Sequence, residues 1–289
     1  MQIIVNGIVS GLAIAMLALA FQAVYLPTRV FFIGMAGVYA ISPFIALSVL
    51  DAGGSLWAAG LTSVIVAVFI CLACEYLIHA PLERRRAGGG AHLIASLGYS
   101  IIIVQIISII WGNNKQVLRT GTSSISQFGG VTISGEQWII FGVTSTAITA
   151  FLLVLMRANL GLRLRALADN PTQFALFGYN VNYHRLLSFG LAGLLTSAAS
   201  LVTAYDVGFD VNSGLRGVLL AIVAVVIGGQ SSFAGPVLSG LLLGVIRSQV
   251  VWYWEARWEE PITFLLLALV LLLLPQGLLG RMTRLENNP

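Results

Sequence analysis

Long apolar runs dominate this chain, and their length constrains the fold more than any other feature. A helix needs about 20 mostly apolar residues to cross the hydrocarbon core of a bilayer. The sequence contains a series of runs that reach or approach this length. They are Ile8–Tyr25, Phe31–Leu50, Leu56–His79, His92–Trp111, Trp138–Met156, Leu186–Ala204, Leu215–Ile227, Phe233–Trp252 and Ile262–Leu279. The chain is therefore predicted to be an integral membrane protein built from helices.

Charged side chains are too scarce for a water-soluble protein. Only 9% of the 289 residues are charged, whereas a soluble domain carries about 25%. The net charge of +4 does not indicate a nucleic-acid partner, because the arginines of a membrane protein gather in its cytoplasmic loops. Soluble enzymes and nucleic-acid-binding proteins are excluded, and the lipid bilayer is the predicted environment.

The distribution of arginine predicts the orientation of the helices. Arg84–Arg86 follow the third run, and residues 157–185 and the C-terminal tail are also rich in arginine. Placing these segments in the cytoplasm gives nine spans, with the N-terminus outside and the C-terminus inside. Eight to ten spans stay open, because Phe31–Leu50 contains a proline and Leu215–Ile227 is short, so either one is a candidate for a broken helix. The expected fold is an all-α, polytopic membrane helix bundle.

The sequence contains no motif of a catalytic centre or a metal site. The histidines, His79, His92 and His184, are dispersed along the chain. Glu75 and His79 lie one turn apart near the end of the third run, as an ion pair at the membrane interface or as a proton relay. The first is favoured, because side chains near helix ends extend to the interface. Arg247 lies in the outer half of the eighth run, where it either extends to the interface or faces a substrate path.

The loop at residues 157–185 contains a short helix with a cap at each end. Asn170 is a typical N-cap, a proline follows at the first helical position, and Gln173 is placed to complete a capping box. Gly178 fits a left-handed C-terminal cap. The predicted helix, Pro171–Phe177, carries apolar side chains between flanking arginines, which is typical of a docking element for a cytoplasmic partner.

This loop resembles the coupling loop of a known family. The residues that carry the resemblance are Gly161, Arg163, Arg165, Ala166, Asp169, Asn170, Pro171, Ala175, Gly178, Tyr179 and Asn180. They are similar to the loop of the branched-chain amino acid ABC transporter permease family, of the LivH and LivM type, which includes urea-transporting relatives. Phe189–Ser200, Leu215–Gly244 and Leu274–Gly280 resemble further stretches of that family. In the N-terminal half, Gly37 and Tyr39 match in a stretch that lacks the family's Asn, His and Glu.

The resemblance implies the permease subunit of a bacterial ABC importer in the inner membrane, with residues 1–289 forming a single permease domain. It also implies a second, related permease subunit as heterodimer partner, two cytoplasmic ATPase subunits and a periplasmic substrate-binding protein. ATP and Mg would be bound by the ATPase subunits, while this chain would carry no cofactor and catalyse no reaction. The residues assigned to ATPase coupling are Arg163, Arg165, Ala166, Asn170, Ala175 and Gly178. The residues assigned to a possible translocation path are Gly37, Tyr39 and Arg247.

Few charges lie along the predicted spans, which suits a small neutral or zwitterionic solute. Branched-chain or other neutral amino acids fit, and urea or a short amide is the alternative within the same family. An ion-coupled secondary transporter is the rival from another class. Such carriers need ionisable groups near the middle of the membrane, whereas Glu75 and Arg247 both lie toward helix ends.

Overall fold

The computed structural model describes residues 2–118, 125–128, 131–274 and 276–279, and most of these residues are helical. The α-helices, in chain order, are α1 (Gln2–Thr28), α2 (Met35–Asp51), α3 (Leu56–Cys74), α4 (Ala80–Arg84), α5 (Gly89–Trp111), α6 (Gly135–Arg157), α7 (Asn159–Asp169), α8 (Pro171–Leu176), α9 (Val181–Val207), α10 (Ser213–Gly228), α11 (Ala234–Tyr253) and α12 (Glu259–Leu273). A π-helical turn, Glu75–His79, joins α3 to α4, and a 3-10 turn, Ala256–Trp258, precedes α12. Pro275 and Gly280 of the stretch Leu274–Gly280, and Arg281 and Arg284 of the C-terminal tail, lie outside the described residues.

The predicted helical membrane bundle is confirmed. Within the described residues, six helices are long and apolar enough to cross a membrane, and α2 and α10 are shorter apolar helices. Each of the runs found in the sequence overlaps a helix. The described residues add one small element to the helical bundle, an antiparallel hairpin of β1 (Ile125–Phe128) and β2 (Val131–Ser134) between α5 and α6.

The two runs that the sequence left open form continuous helices. The helix α2 runs from Met35 to Asp51 and includes Pro43 without a break. The helix α10 has 16 residues and ends at Gly228, and the next residue, Gly229, has a φ of +100°, a left-handed conformation that favours glycine. Neither run is therefore broken within its helix, although both are shorter than a typical span.

The helix α1 forms the centre of the bundle and packs against α9, α10 and α11. Its tightest contact is with α11, where Gly240 faces Ala15 and Gly244 faces Gly11 so closely that a Cβ atom at either glycine would meet backbone. Small side chains at four-residue spacing let membrane helices approach each other closely. The contact therefore fixes α11 against the buried centre of the fold.

The helix ends form two opposite faces of the bundle. At one face, here called the outer end, the Ser248 hydroxyl near the end of α11 donates to the Ile3 carbonyl at the start of α1, over 2.7 Å. At the other, called the inner end, the Gln22 amide near the end of α1 donates to the Gln230 carbonyl before α11, over 2.7 Å. The arginine-rich segments around Arg84 and Arg185 meet at the inner end. This is the distribution that the positive-inside rule predicts for a cytoplasmic face.

Candidate functional site

The segment between α6 and α9 is more regular than the sequence analysis expected. Residues 159–169, which the sequence analysis placed in the loop at residues 157–185, form the helix α7, with Leu164 and Leu167 buried on one side. At its start, Gly161 contacts the Leu155 carbonyl so closely that a side chain would collide with backbone. The spacing of these leucines is the amphipathic pattern that could have predicted the helix. The helix α7 therefore holds the shorter α8 at a fixed place beneath the bundle.

The N-terminal cap of α8 is formed by the predicted residue. The Asn170 Oδ1 accepts hydrogen bonds from the backbone N–H groups of Thr172 and Gln173, each over 3.0 Å. The capping box is wrong, because the Asn170 N–H donates to the Ala166 carbonyl over 3.2 Å, as the last bond of α7. The two helices thus share one residue as the end of α7 and the cap of α8. A change in Asn170 would therefore disturb the joint between them.

The C-terminal end of α8 requires glycine for its backbone. Gly178 has a φ of +84°, and its N–H donates to the Ala175 carbonyl over 3.0 Å. No atom lies within 4 Å of the position that a Cβ would occupy. The predicted left-handed cap is confirmed. Backbone conformation, and not side-chain crowding, is the reason for glycine at this position.

The apolar side chains of α8 divide into a buried and an exposed set. Phe174 is buried and packs against the rings of Tyr179 and His184, with 5.0 Å between ring centres in both pairs. Leu176 and Phe177 project from the helix, and their exposed fractions are 82% and 80%. The buried ring fixes α8 on the first turn of α9, while the two exposed side chains form an apolar surface at the inner end.

The arginines assigned to coupling lie on α7 beside this surface. The Arg163 guanidinium lies 5.1 Å from the Tyr179 ring centre, and that of Arg165 lies 5.9 Å from the ring centre of Phe233, before α11. Arg163, Ala166, Asn170 and other residues of the two helices line a cavity of about 270 Å³. The structure thus brings the six predicted residues, Arg163, Arg165, Ala166, Asn170, Ala175 and Gly178, into one compact segment.

Two of the three residues assigned to a translocation path share a cavity at the outer end. Tyr39 and Arg247 line a cavity of about 550 Å³. The Arg247 Nε and Nη2 atoms lie 2.8 and 2.7 Å from the Glu259 Oε1 atom, and the pair is partly buried. Gly37 does not line this cavity, because it faces α5, where a Cβ would lie 3.0 Å from Ile103. The glycine is thus explained by helix packing.

A polar cluster at the inner end was missed by the sequence analysis. We call it the inner polar cluster, and it comprises Glu75, His79, Glu83, His92 and Arg185. The histidines are not all dispersed, since the Nδ1 atoms of His79 and His92 lie 3.0 Å apart. Glu75 and His79 do not form an interfacial ion pair, because the Glu75 carboxylate binds Arg185 instead and both members of the predicted pair are buried. These partners are separated by up to 110 residues, so only the folded structure brings them together.

The described residues contain no group of three or more His, Cys, Asp or Glu side chains arranged to hold a metal ion. What the inner end does offer is a rigid, capped helix with exposed apolar side chains and nearby arginines. Such a surface is suited to binding another protein.

The comparisons with known proteins give one family. The family described as branched-chain amino acid transport system, permease component, matches residues 3–274. The permease protein BraD of a high-affinity branched-chain amino acid transport system from Pseudomonas aeruginosa is 29% identical, over 97% of this chain and 96% of its own length. The corresponding protein LivH from Escherichia coli K12 is 25% identical, over the same shares of the two chains.

A solved structure agrees in fold. PsaBC from Streptococcus pneumoniae, determined in complex with a Fab, superposes with a TM-score of 0.52 and 12% sequence identity, over 92% of this chain and 90% of that one. At this identity the likeness shows the fold alone. The family match does not favour the ion-coupled secondary transporter that the sequence analysis kept as a rival. The chain belongs to the branched-chain amino acid transport permease family, and it is a multi-pass membrane permease subunit of an ABC importer.

Proposed function

We propose that this permease carries branched-chain or other small neutral amino acids across the bacterial inner membrane, driven by ATPase subunits that dock on α8. The observation that carries the proposal is the exposure of Leu176 and Phe177 on a helix that is capped at both ends. Two large apolar side chains at a water-facing helix end are unfavourable unless another surface covers them. Their rigid placement reduces the entropy lost on binding.

The docking surface combines three features that suit an ATPase partner. Phe177 and Leu176 supply apolar contact area, and Arg163 and Arg165 supply positive charge for acidic groups. The cavity of about 270 Å³ beside Phe177 has room for one side chain of the partner. Because α8 is joined to α9 through Phe174, a push on the exposed side chains acts on a membrane helix.

The other components of the system follow from this assignment. The ATPase subunits would bind ATP and Mg, and this chain would contribute neither nucleotide binding nor catalysis. A second, related permease subunit would complete a heterodimer, and a periplasmic protein would deliver substrate to the outer end. Residues 1–289 would act as a single permease domain. ATP binding could drive the change in state only by favouring one arrangement of α8 over another.

The proposed substrate class rests on the relatives and on the outer cavity. BraD and LivH are named as branched-chain amino acid permeases. The outer cavity is lined by the charged residues Arg247 and Glu259 and by aliphatic residues such as Val9 and Leu17. Such a lining suits a zwitterion with an apolar side chain, and we assign Tyr39 and Arg247 to the entry of the path. Urea or a short amide is the alternative within the family.

A docking experiment tests the ATPase surface directly. The complex is purified with its cognate ATPase subunits from cells that express wild-type chain, Phe177→Ala or Tyr253→Ala. We expect Phe177→Ala to weaken ATPase retention by more than about tenfold, the size of a central interface residue. Tyr253 is the matched control, because it is an exposed aromatic residue at the outer end. Equal retention by the Phe177→Ala and wild-type chains would refute docking on α8.

An uptake experiment tests the substrate. Proteoliposomes with the assembled complex and its binding protein are supplied with labelled leucine and with unlabelled valine, isoleucine, urea or acetamide. We expect valine and isoleucine to compete, urea and acetamide to have no effect, and an ionophore that collapses the proton gradient to leave uptake unchanged. Competition by urea would assign the chain to the amide-transporting alternative, and sensitivity to the ionophore would favour ion coupling.

A further inference from the structure

The inner polar cluster links four separate elements through one arginine. The Arg185 Nε atom, in the first turns of α9, lies 2.7 Å from the Glu75 Oε1 atom in the π-helical turn. The Arg185 Nη1 atom lies 3.1 Å from the Glu83 Oε2 atom in α4. The same Glu83 oxygen lies 3.8 Å from the His92 Nε2 atom in α5, and His92 in turn contacts His79. Arg185 therefore connects α9 to the whole turn that joins α3 to α5.

The Arg185–Glu75 pair at the centre of the cluster is buried to a degree that stability alone does not explain. The side chains of Glu75 and Arg185 are exposed by only 2% and 7%. Removing two such charges from water is costly, and well-packed apolar side chains often stabilise a protein as much as a buried ion pair does. What the ion pair adds is a fixed relative position, because the guanidinium holds its N–H donors in a rigid, planar arrangement. Positioning is therefore the property that this cluster supplies.

The π-helical turn places the cluster at an irregular point of the third span. Glu75 and His79 are its first and last residues, and single π turns inside helices often occur at functional sites. Glu75 contacts α9, while the His79 ring packs against Phe32 before α2 and against Phe189 in α9, with ring centres 5.8 and 5.3 Å apart. The turn thus contacts the neighbouring helices with both of its ends.

The inner polar cluster and the contact that holds α8 involve adjacent residues of α9. Phe174 of α8 packs on the ring of His184, and Arg185 is the next residue of α9. The His184 ring is fixed in turn by a 2.9 Å hydrogen bond between its Nδ1 atom and the Asn180 carbonyl. A displacement of α8 therefore acts on the first turn of α9. Arg185 connects this turn of α9 to Glu83 in α4 and to Glu75 at the end of α3.

We propose that Arg185 is a positioning residue that makes α8, the start of α9 and the turn between α3 and α5 move as one body. This inference rests on the proposed docking of the ATPase subunits on α8. In this arrangement a movement imposed on α8 reaches α5, a helix that packs against α2 within the bundle. Loss of the contacts of Arg185 with Glu75 and Glu83 would uncouple the movement of α8 from that of the membrane helices. The exposed apolar side chains of α8 would still be present for docking.

The transport test uses the full complex in proteoliposomes and compares Arg185→Lys with wild type. Lysine keeps the charge, but its compact ammonium lacks the two separate nitrogens, Nε and Nη1, with which Arg185 contacts Glu75 and Glu83. We expect leucine moved per ATP hydrolysed to fall at least about fivefold, the lower end of typical coupling between sites. ATPase retention should stay unchanged, since α8 is intact. The matched control is Arg216→Lys, in the exposed pair with Asp210 at the outer end, which should leave the ratio unchanged.

A second variant keeps the test decisive if Arg185→Lys does not assemble. Glu83→Gln removes one carboxylate of the bridge, and the Glu83 side chain is 57% exposed, so the fold should tolerate it. We expect a smaller loss of the same ratio, about twofold. If both variants change only the amount of assembled complex, and the ratio per complex is that of wild type, Arg185 has a purely structural role and the proposal is wrong.

A distance measurement tests the moving body without any substrate. Spin labels are attached at Thr172→Cys in α8 and Arg85→Cys after α4, with Cys71 and Cys74 replaced by alanine. In the wild-type background, ATP binding should leave the distance between the labels unchanged, and in Arg185→Lys it should change. A nucleotide-dependent distance in the wild-type background would overturn the proposal. Loss of ATPase retention in the wild-type chain, or normal retention by Phe177→Ala, would instead overturn the docking assignment.

Discussion

The two ends of the bundle use ion pairs in opposite ways. At the outer end, Asp210 pairs with Arg216 six residues later, and Arg247 pairs with Glu259 twelve residues later. At the inner end, Arg185 pairs with Glu75 across 110 residues of sequence. The outer pairs connect neighbouring parts of the chain and are exposed or partly buried, whereas the inner pair connects distant helices and is desolvated.

This difference indicates where the protein needs rigidity. An exposed local pair adds little stability, because water and salt screen it. A buried pair between helices adds a strong geometric constraint, because separating the partners leaves a charge without compensation. At the inner end, α7 and α8 would receive force from a docked partner. The buried Arg185–Glu75 pair lies at the same end, where it can hold the helices in place. The outer end has a cavity of about 550 Å³, and the Arg247–Glu259 pair belongs to its lining.

Removal of Arg185 should have the largest effect on stability. Arg185→Ala leaves Glu75 buried without its partner, and we expect a loss of about 3–5 kcal/mol. The measurement is the thermal denaturation of the detergent-solubilised chain, followed by the fraction that stays monodisperse. The double variant Glu75→Gln with Arg185→Met removes both charges and should recover most of the loss. A stable Arg185→Ala protein would contradict the contrast between the two ends.

Gly244→Val should have the next largest effect on stability. The valine side chain would force α11 away from α1, and both helices run between the outer and the inner end of the bundle. A Cβ at this position meets the backbone of Gly11 in α1, and backbone does not yield as a flexible side chain does. Overpacking of this kind costs about 1–3 kcal/mol. The same thermal assay measures it, with Gly98→Val in α5 as the control, since a Cβ there meets no atom within 4 Å. Similar losses in both variants would show that helix propensity, and not the α1–α11 contact, sets the effect.

Gly178→Val should act on the docking segment more than on the bundle. The residue has a φ of +84°, and a side chain there costs about 1–2 kcal/mol of backbone strain. The local cost should disrupt the end of α8 and lower uptake per assembled complex, while the thermal stability of the bundle changes little. Transport and denaturation are measured on the same preparation. Wild-type uptake together with wild-type ATPase retention would remove the assignment of Gly178 to coupling.

The helical bundle was predictable from the sequence because each membrane helix makes the hydrogen bonds of its backbone within itself. Apolar length alone therefore marks the spans. The caps of α8 were predictable for the same kind of reason, since Asn170 and Gly178 act on atoms a few residues away. The capping box failed because α7 already uses the Asn170 N–H, and a helix ending at that residue was not foreseen.

The inner polar cluster was not predictable from one sequence. Arg185 counted as one more loop arginine under the positive-inside rule, and Glu75 was given a local partner, His79, because helical spacing favours residues four apart. The two residues lie in a π-helical turn, where Glu75 instead binds Arg185 of α9 and His79 contacts His92 of α5. A clue was present in the sequence, since an ionisable residue inside an apolar span requires a partner of its own.

The smallest effect should come from Arg216→Ala at the outer end. The Arg216 Nη2 atom lies 2.6 Å from the Asp210 Oδ2 atom, but the arginine side chain is largely exposed. Exposed pairs contribute about 0–1 kcal/mol, and the contribution falls as salt rises. We expect a shift in the denaturation temperature that is small at low salt and vanishes at high salt. The shift of Arg185→Ala should persist at high salt, because its partner is desolvated, so the salt dependence of the two variants measures the difference between the ends directly.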